Sequence, residues 1–127
     1  MKVLYALALA IALGSGAAAA SNNEVQADLG YPTVASALES LCAKPGTRSS
    51  MQSGWTVIED KAALSVWSFA PSGHPAYPTA IRRHVVQDGD HLFIKMDVLC
   101  EAAKPACDTV VAEFERLNGI VRDDLKR

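Results

Sequence analysis

Two alternating stretches, Thr79–Gln87 and Asp90–Leu99, meet at the dipeptide Asp88-Gly89 and constrain this chain more than any other feature. Leu92, Ile94, Met96 and Val98 are apolar at every second position. That is the period of a strand with one buried face. Asp-Gly is a preferred pair for a two-residue type I′ turn, whose central residues both need positive φ. A hairpin built on that turn sets Val85 opposite Leu92, Arg83 opposite Ile94 and Ile81 opposite Met96. The four apolar residues then face the core, and Arg82, His84, Val86, His91, Phe93, Lys95 and Asp97 face the other way. Arg83 falls in the apolar row, where a cation keeps its water only by reaching the sheet margin.

An isolated hairpin is not stable, so further elements must cover it. Upstream, Trp55–Ile58 and Ala63–Phe69 flank Glu59-Asp60-Lys61 and read as two more strands. Gly46–Gly54 is small and polar and reads as a loop. Ala70–Pro78 holds Pro71, Pro75, Pro78 and Gly73, which bar it from a paired strand or a helix. Val34, Ala37, Leu38 and Leu41 lie on one helical face that opens at Pro32-Thr33 and stops at Pro45-Gly46. Past Cys100, Pro105 suits a first helical turn. Val110, Phe114, Leu117 and Val121 continue one face, with Asn118-Gly119 either ending that helix or merely weakening it before Leu125. The expected fold is α+β, a four-stranded antiparallel sheet with an N-terminal and a C-terminal helix packed on one face. Trp67 and Phe69 share a strand face and would be exposed if both helices covered the other.

Residues 1–20 stand apart. Lys2, the apolar run Val3–Leu13 and the small residues Ala18-Ala19-Ala20 have the order of a secretory leader cleaved before Ser21. The expected organisation is a leader at 1–20, a flexible lead-in at 21–32 and one domain at 33–127. Half of the chain is hydrophobic and a fifth is charged, a globular balance. The formal charge of −2 gives no basic surface for nucleic acid. Once the leader is cleaved, no stable membrane insertion is expected.

Export places the three cysteines in an oxidising compartment. Cys100 and Cys107 have six residues between them, close enough to bridge. Cys42 is then left over. The simplest expectation is a buried small hydrophobe. The alternatives are an intermolecular bridge, giving a Cys42-linked dimer in place of a monomer, or pairing with Cys100 or Cys107. His84 and His91 are diagonal neighbours on the polar sheet face, without a third ligand for a metal. Arg82, His84 and Lys95 make a weak anion-binding patch on the same face. His74 and Tyr77 are the polar and aromatic side chains of the proline-rich loop, which is stiff enough to bind at a small entropy cost. No cofactor motif, hydrolase elbow or metal-protease signature occurs.

The segment Val66–Arg83, with its WSF and GHPAYP runs followed by Arg82-Arg83, and the CEA and CD elements of Lys95–Asp108 resemble a group of small secreted proteins of proteobacteria with no established function. The resemblance covers somewhat under half of the chain beyond the leader. It implies a location in a Gram-negative envelope and supplies no catalytic residues.

The expected function is a non-enzymatic periplasmic or secreted domain that binds a protein or a cell-envelope component. A small hydrolase with a spatially assembled histidine and carboxylate is one alternative. A secreted enzyme inhibitor that presents the 70–78 loop is another. Intact-mass spectrometry of the exported protein is expected to find Ser21 at the N-terminus; a membrane-bound product that keeps residues 1–20 would refute the leader.

Overall fold

A computed structural model describes residues 29–125, with side chains described as far as Ile120. The leader, its cleavage site, residues 21–28 and the side chain of Val121 lie outside the described residues. The elements run α1 (Val34–Ala43), β1 (Thr47–Gln52), β2 (Trp55–Asp60), β3 (Ser65–Phe69), β4 (Thr79–Asp88), β5 (His91–Cys100) and α2 (Lys104–Leu125). The strands form one antiparallel meander in the order β1-β2-β3-β4-β5.

The architecture is α+β, but the sheet has five strands rather than four. The additional strand, β1, occupies the stretch expected to be a loop. Its sequence, TRSSMQ, has no apolar alternation because it is an exposed edge. What folds it is the turn Ser53-Gly54, where φ is 50° and 84°. Both central residues take positive φ, as a two-residue type I′ hairpin demands. The Asp-Gly signal works differently. Asp88 pairs with His91, so the turn is Gly89-Asp90, with Gly89 at φ 60° in the first central position. Glycine with positive φ at that position is the type II′ pattern. The register is therefore two residues from the expected one: Val85 lies opposite Ile94, Arg83 opposite Met96 and Ile81 opposite Val98. A slip of two keeps every side chain on its face.

The helices lie on opposite faces of the sheet, not together on one. Val34, Ala37 and Leu41 of α1 cluster with Ile58, Trp67, Phe69 and Ala80. Val110, Val111 and Phe114 of α2 cluster with Ile81, Val98 and Cys100. Ile58 pairs with Trp67 and Phe69 with Ala80, which puts these four on one face. Ile81 follows Ala80 and so points the other way. The physical reason is visible in Val57-Ile58, Ala80-Ile81 and Val98-Leu99. Each pair is apolar at both parities, as strands covered on both faces require. Trp67 and Phe69 are consequently buried beneath α1, at 4% and 3% exposure. The expected core row of β5 is covered only at its base. Val98 is buried, whereas Leu92, near the hairpin tip, is 63% exposed.

Local chemistry explains the helix ends. Thr33 caps α1: its Oγ1 accepts the Ser36 N–H, and Ser36 Oγ accepts the Thr33 N–H. The Val34 N–H donates to Glu101 Oε1 at 3.2 Å, tying this end to the segment after β5. Two residues of the expected lead-in belong to the core instead. Leu29 is buried, and Tyr31 packs edge-on against Trp67 at 5.8 Å. The α2 helix runs unbroken through Asn118-Gly119.

Cys100 and Cys107 form the expected disulfide, with Cα atoms 5.9 Å apart. Cys42 is a free thiol and exposed, so it is not the buried residue expected. It lies just outside the face formed by Val34, Ala37 and Leu41. Replacing Cys100 and Cys107 together by alanine is expected to lower unfolding stability by roughly 2–3 kcal/mol, the chain-entropy value for so short a loop. The shift of the urea midpoint measures it. In the native protein a maleimide is expected to label Cys42 alone.

Candidate functional site

Because neighbouring residues on β4 face opposite ways, Arg82 and Arg83 enter different environments. On the α1 side, Arg82 pairs in register with Asp97 and Trp67. Its Nη2 lies 2.5 Å from Asp97 Oδ2, and its guanidinium carbon is 5.7 Å from the Trp67 ring centroid. Asp97 is buried. The charge of Arg82 is thus already matched inside the protein, by a carboxylate and an aromatic face.

His84 is next along the same face, opposite Ser65 and Lys95. Its Nδ1 is buried without a hydrogen bond and sits 3.9 Å from Asp97 Oδ2. Burial is the main cause that lowers its pKa below the ordinary histidine value; Arg82 and Lys95 act in the same direction and Asp97 opposes. Both neighbouring cations therefore favour a neutral imidazole. Ser65 and His84 are cross-strand partners and Asp97 is diagonal to His84 on the same face, so the residue types of a hydrolytic triad lie near one another. The bonding is not that of a triad, because the Ser65 hydroxyl donates to the Ala63 carbonyl at 2.9 Å and Asp97 is bonded to Arg82.

A second ion pair closes this side at the end of α1. Lys44 Nζ lies 2.6 Å from Asp60 Oδ2, with Asp60 buried. The hydrogen bond from Lys44 holds the Asp60 carboxyl below its ordinary pKa against the opposing effect of burial.

On the α2 side the loop 70–78 folds inward. The His74 N–H donates to the Pro71 carbonyl, and the Tyr77 N–H to the His74 carbonyl. His74 Nδ1 accepts the Ala76 N–H at 3.0 Å. That bond requires the tautomer with hydrogen on Nε2 and leaves no Nδ1–H for a carboxylate. The His74 ring meets Trp55 edge-on at 5.1 Å, and Trp55 tilts against Phe114 at 5.4 Å. Ala76 is fully buried. The loop therefore anchors itself through His74 and Ala76 while Ser72, Gly73, Pro75 and Tyr77 stay exposed.

These contacts wall a cleft of about 310 Å³ between the β1–β2 turn, the loop and α2. Arg83 forms part of the lining. Its guanidinium carbon is 5.3 Å from the Phe114 ring centroid, and its buried Nε has no hydrogen-bond partner. Among the described residues, no carboxylate lies within 4.0 Å of it, in contrast to Arg82. Burial lowers the pKa of Arg83 from the ordinary arginine value.

The structure thus divides the five residues expected to bind. Arg82, His84 and Lys95 lie on the α1 face, with Arg82 paired internally and His84 favoured neutral. His74 lines the cleft on the α2 face. Tyr77 is 49% exposed and outside that cleft. Arg83 was the residue expected only to reach the margin. The signal that marks it is a lone cation in an otherwise apolar alternating row. No group of three or more histidine, cysteine, aspartate or glutamate side chains suited to a metal occurs among the described residues. No known family model, curated protein or solved structure matches the chain.

The lowered pKa of His84 makes a pH prediction. Below the unfolded value of about 6.5, the unfolded chain takes up a proton that the folded protein resists. The stability is complete above that value and falls as the pH drops towards the folded pKa. His84→Gln is expected to flatten this part of the stability profile, measured by urea unfolding between neutral and mildly acidic pH. An unchanged slope would show that His84 is not its source.

Proposed function

We propose that the protein is a non-enzymatic binding domain of the periplasm or the extracellular space, and that it engages a protein or cell-envelope component through the α2-face cleft. The leader motif supports the compartment. No helix among the described residues is long and apolar enough to cross a membrane.

The carrying observation is the chain of ring contacts from His74 through Trp55 to Phe114. It joins a loop, a strand and a helix that are distant in sequence into one concave wall. Three prolines restrict the loop, so the wall is formed before any partner arrives. Aromatic walls with a few polar groups are the usual make-up of a recognition site. A hydrolytic reading has less support, because His74 Nδ1 is occupied by a backbone N–H and the Ser65 hydroxyl points to Ala63.

A photo-crosslinking residue at Gln52, on the cleft lining, is expected to trap an envelope component. The same residue at exposed Glu39 of α1 is expected not to. Adding His74→Ala to the Gln52 probe should reduce the trapped product while the melting temperature stays close to that of the parent. Equal trapping at both positions would remove the cleft from the function.

A further inference from the structure

An arginine on an aromatic ring inside a fold normally has a carboxylate as well, because a desolvated charge is costly unless it is paired. Arg82 meets that rule through Asp97. Arg83, one residue on, does not. It is half-buried on Phe114 and, although the Nε of both arginines is closed off from water and unbonded, Arg83 alone of the two has no described carboxylate within 4.0 Å. It borders a cleft whose lining also includes Trp55, Phe114, His74, the buried Ser68, Glu113 and Arg116.

We infer that Arg83 is the anion-recognising residue of this cleft, and that the cleft takes a monocarboxylate carrying an apolar group. The inference rests on the proposed reading of the cleft as a binding site and deepens it. The guanidinium presents a planar fork of donors, the shape that a carboxylate matches with two parallel hydrogen bonds. Trp55 and Phe114 offer apolar faces to the rest of the ligand. Glu113 and Arg116 on the lining offset one another, so the charge left to match is the single positive charge of Arg83. A monoanion neutralises that charge and a dianion exceeds it, which favours a carboxylate over a phosphate ester. A volume of about 310 Å³ holds a ligand of modest size. The carboxylate can belong to a small free acid or to the C-terminus of a peptide with an apolar last residue.

The test is a titration of the folded protein followed by ¹H–¹⁵N spectra, with the Trp55 indole N–H as a reporter at the cleft. The probes are 3-phenylpropionate, its neutral amide, phenyl phosphate and N-acetyl-diglycyl-phenylalanine. The acid is expected to bind about tenfold or more tighter than the amide, the worth of a charge-assisted hydrogen bond. Arg83→Met keeps much of the apolar stem and is expected to abolish that preference. Arg83→Lys keeps the charge without the fork and should retain only part of it. If Arg83→Met fails to fold, the Lys variant carries the test: full retention of the preference, or its complete loss with the fold intact, overturns the role of the fork. Tighter binding of the peptide assigns a chain terminus and tighter binding of the free acid a small molecule; either supports the proposal. Equal binding of acid and amide overturns the proposal and leaves the cleft as a site. Preference for phenyl phosphate overturns the monocarboxylate assignment. If no probe shifts the cleft resonances, both the proposal and the reading of the cleft fail.

Discussion

Strand β4, hydrogen-bonded to β3 on one side and β5 on the other, is the constraint on which the rest of the molecule depends. Its first residues, Thr79, Ala80 and Ile81, are all fully buried, so the sheet must be covered on both faces at this level. The same level ties in the irregular segments. The Ala70 N–H donates to the Thr79 carbonyl and the Glu101 N–H to the Pro78 carbonyl. The Thr79 hydroxyl donates to the Ala76 carbonyl and lies 2.9 Å from Cys100 Sγ. One buried threonine therefore joins the loop, the end of β5 and the disulfide. Glu101 in turn accepts the first N–H of α1. A defect at this level would loosen both helices and the loop together, because each takes its position from β4.

The same strand sorts charge. Alternation sends Arg82 towards α1 and Arg83 towards α2, and among the described residues only the first meets a carboxylate. A cross-strand arginine–aspartate pair under an aromatic ring is structural: removing either partner strands the other in a desolvated place, a loss of about 3–5 kcal/mol for buried pairs. Arg83 has the opposite balance. Burial with no carboxylate partner among the described residues opposes its charged form, so the fold bears a cost there that an apolar residue would not impose. Such a cost is expected where a site is held ready for a counter-charge from outside. The outer half of the β4–β5 hairpin is relaxed by comparison. Val85 and Leu92 there are exposed, and neither belongs to a core cluster of the described residues.

What could be read from residues alone follows from how local each signal is. The helix that opens at Pro32-Thr33, the helix with Pro105 in its first turn, the alternation in β5 and the Cys100–Cys107 bridge depend on neighbours in sequence, and all are present. Strand β1 was hidden because an exposed edge needs no apolar pattern; the Ser53-Gly54 turn was its one mark. The turn at Asp88-Gly89-Asp90 offers two ways to place a glycine, and the dipeptide rule favoured the wrong one. The placement of the helices on opposite faces was written in the apolar pairs Val57-Ile58, Ala80-Ile81 and Val98-Leu99. Those pairs read as single strands until the sheet is assembled. The site was the least legible part. His74, Arg83 and Phe114 are far apart in sequence, and only the fold shows that Arg82 is matched while Arg83 is open.

That assembly makes the cleft only as firm as the seat of α2. The helix is held near its start by the bridge from Cys107 to Cys100 and along one face by Val110, Val111 and Phe114. Past Phe114 its apolar face meets water, with Leu117 and Ile120 both exposed. Phe114 is thus, among the described side chains, the last residue of the helix in the core cluster and also the ring beneath Arg83. A small rotation of α2 would leave the sheet intact yet move Phe114 away from both Trp55 and Arg83. The disulfide, which contributes no group to the cleft, restrains that rotation by fixing the first turn of the helix to the end of β5. A short covalent link can thereby hold the geometry of a cleft built from weak ring contacts and an arginine that meets no carboxylate among the described residues.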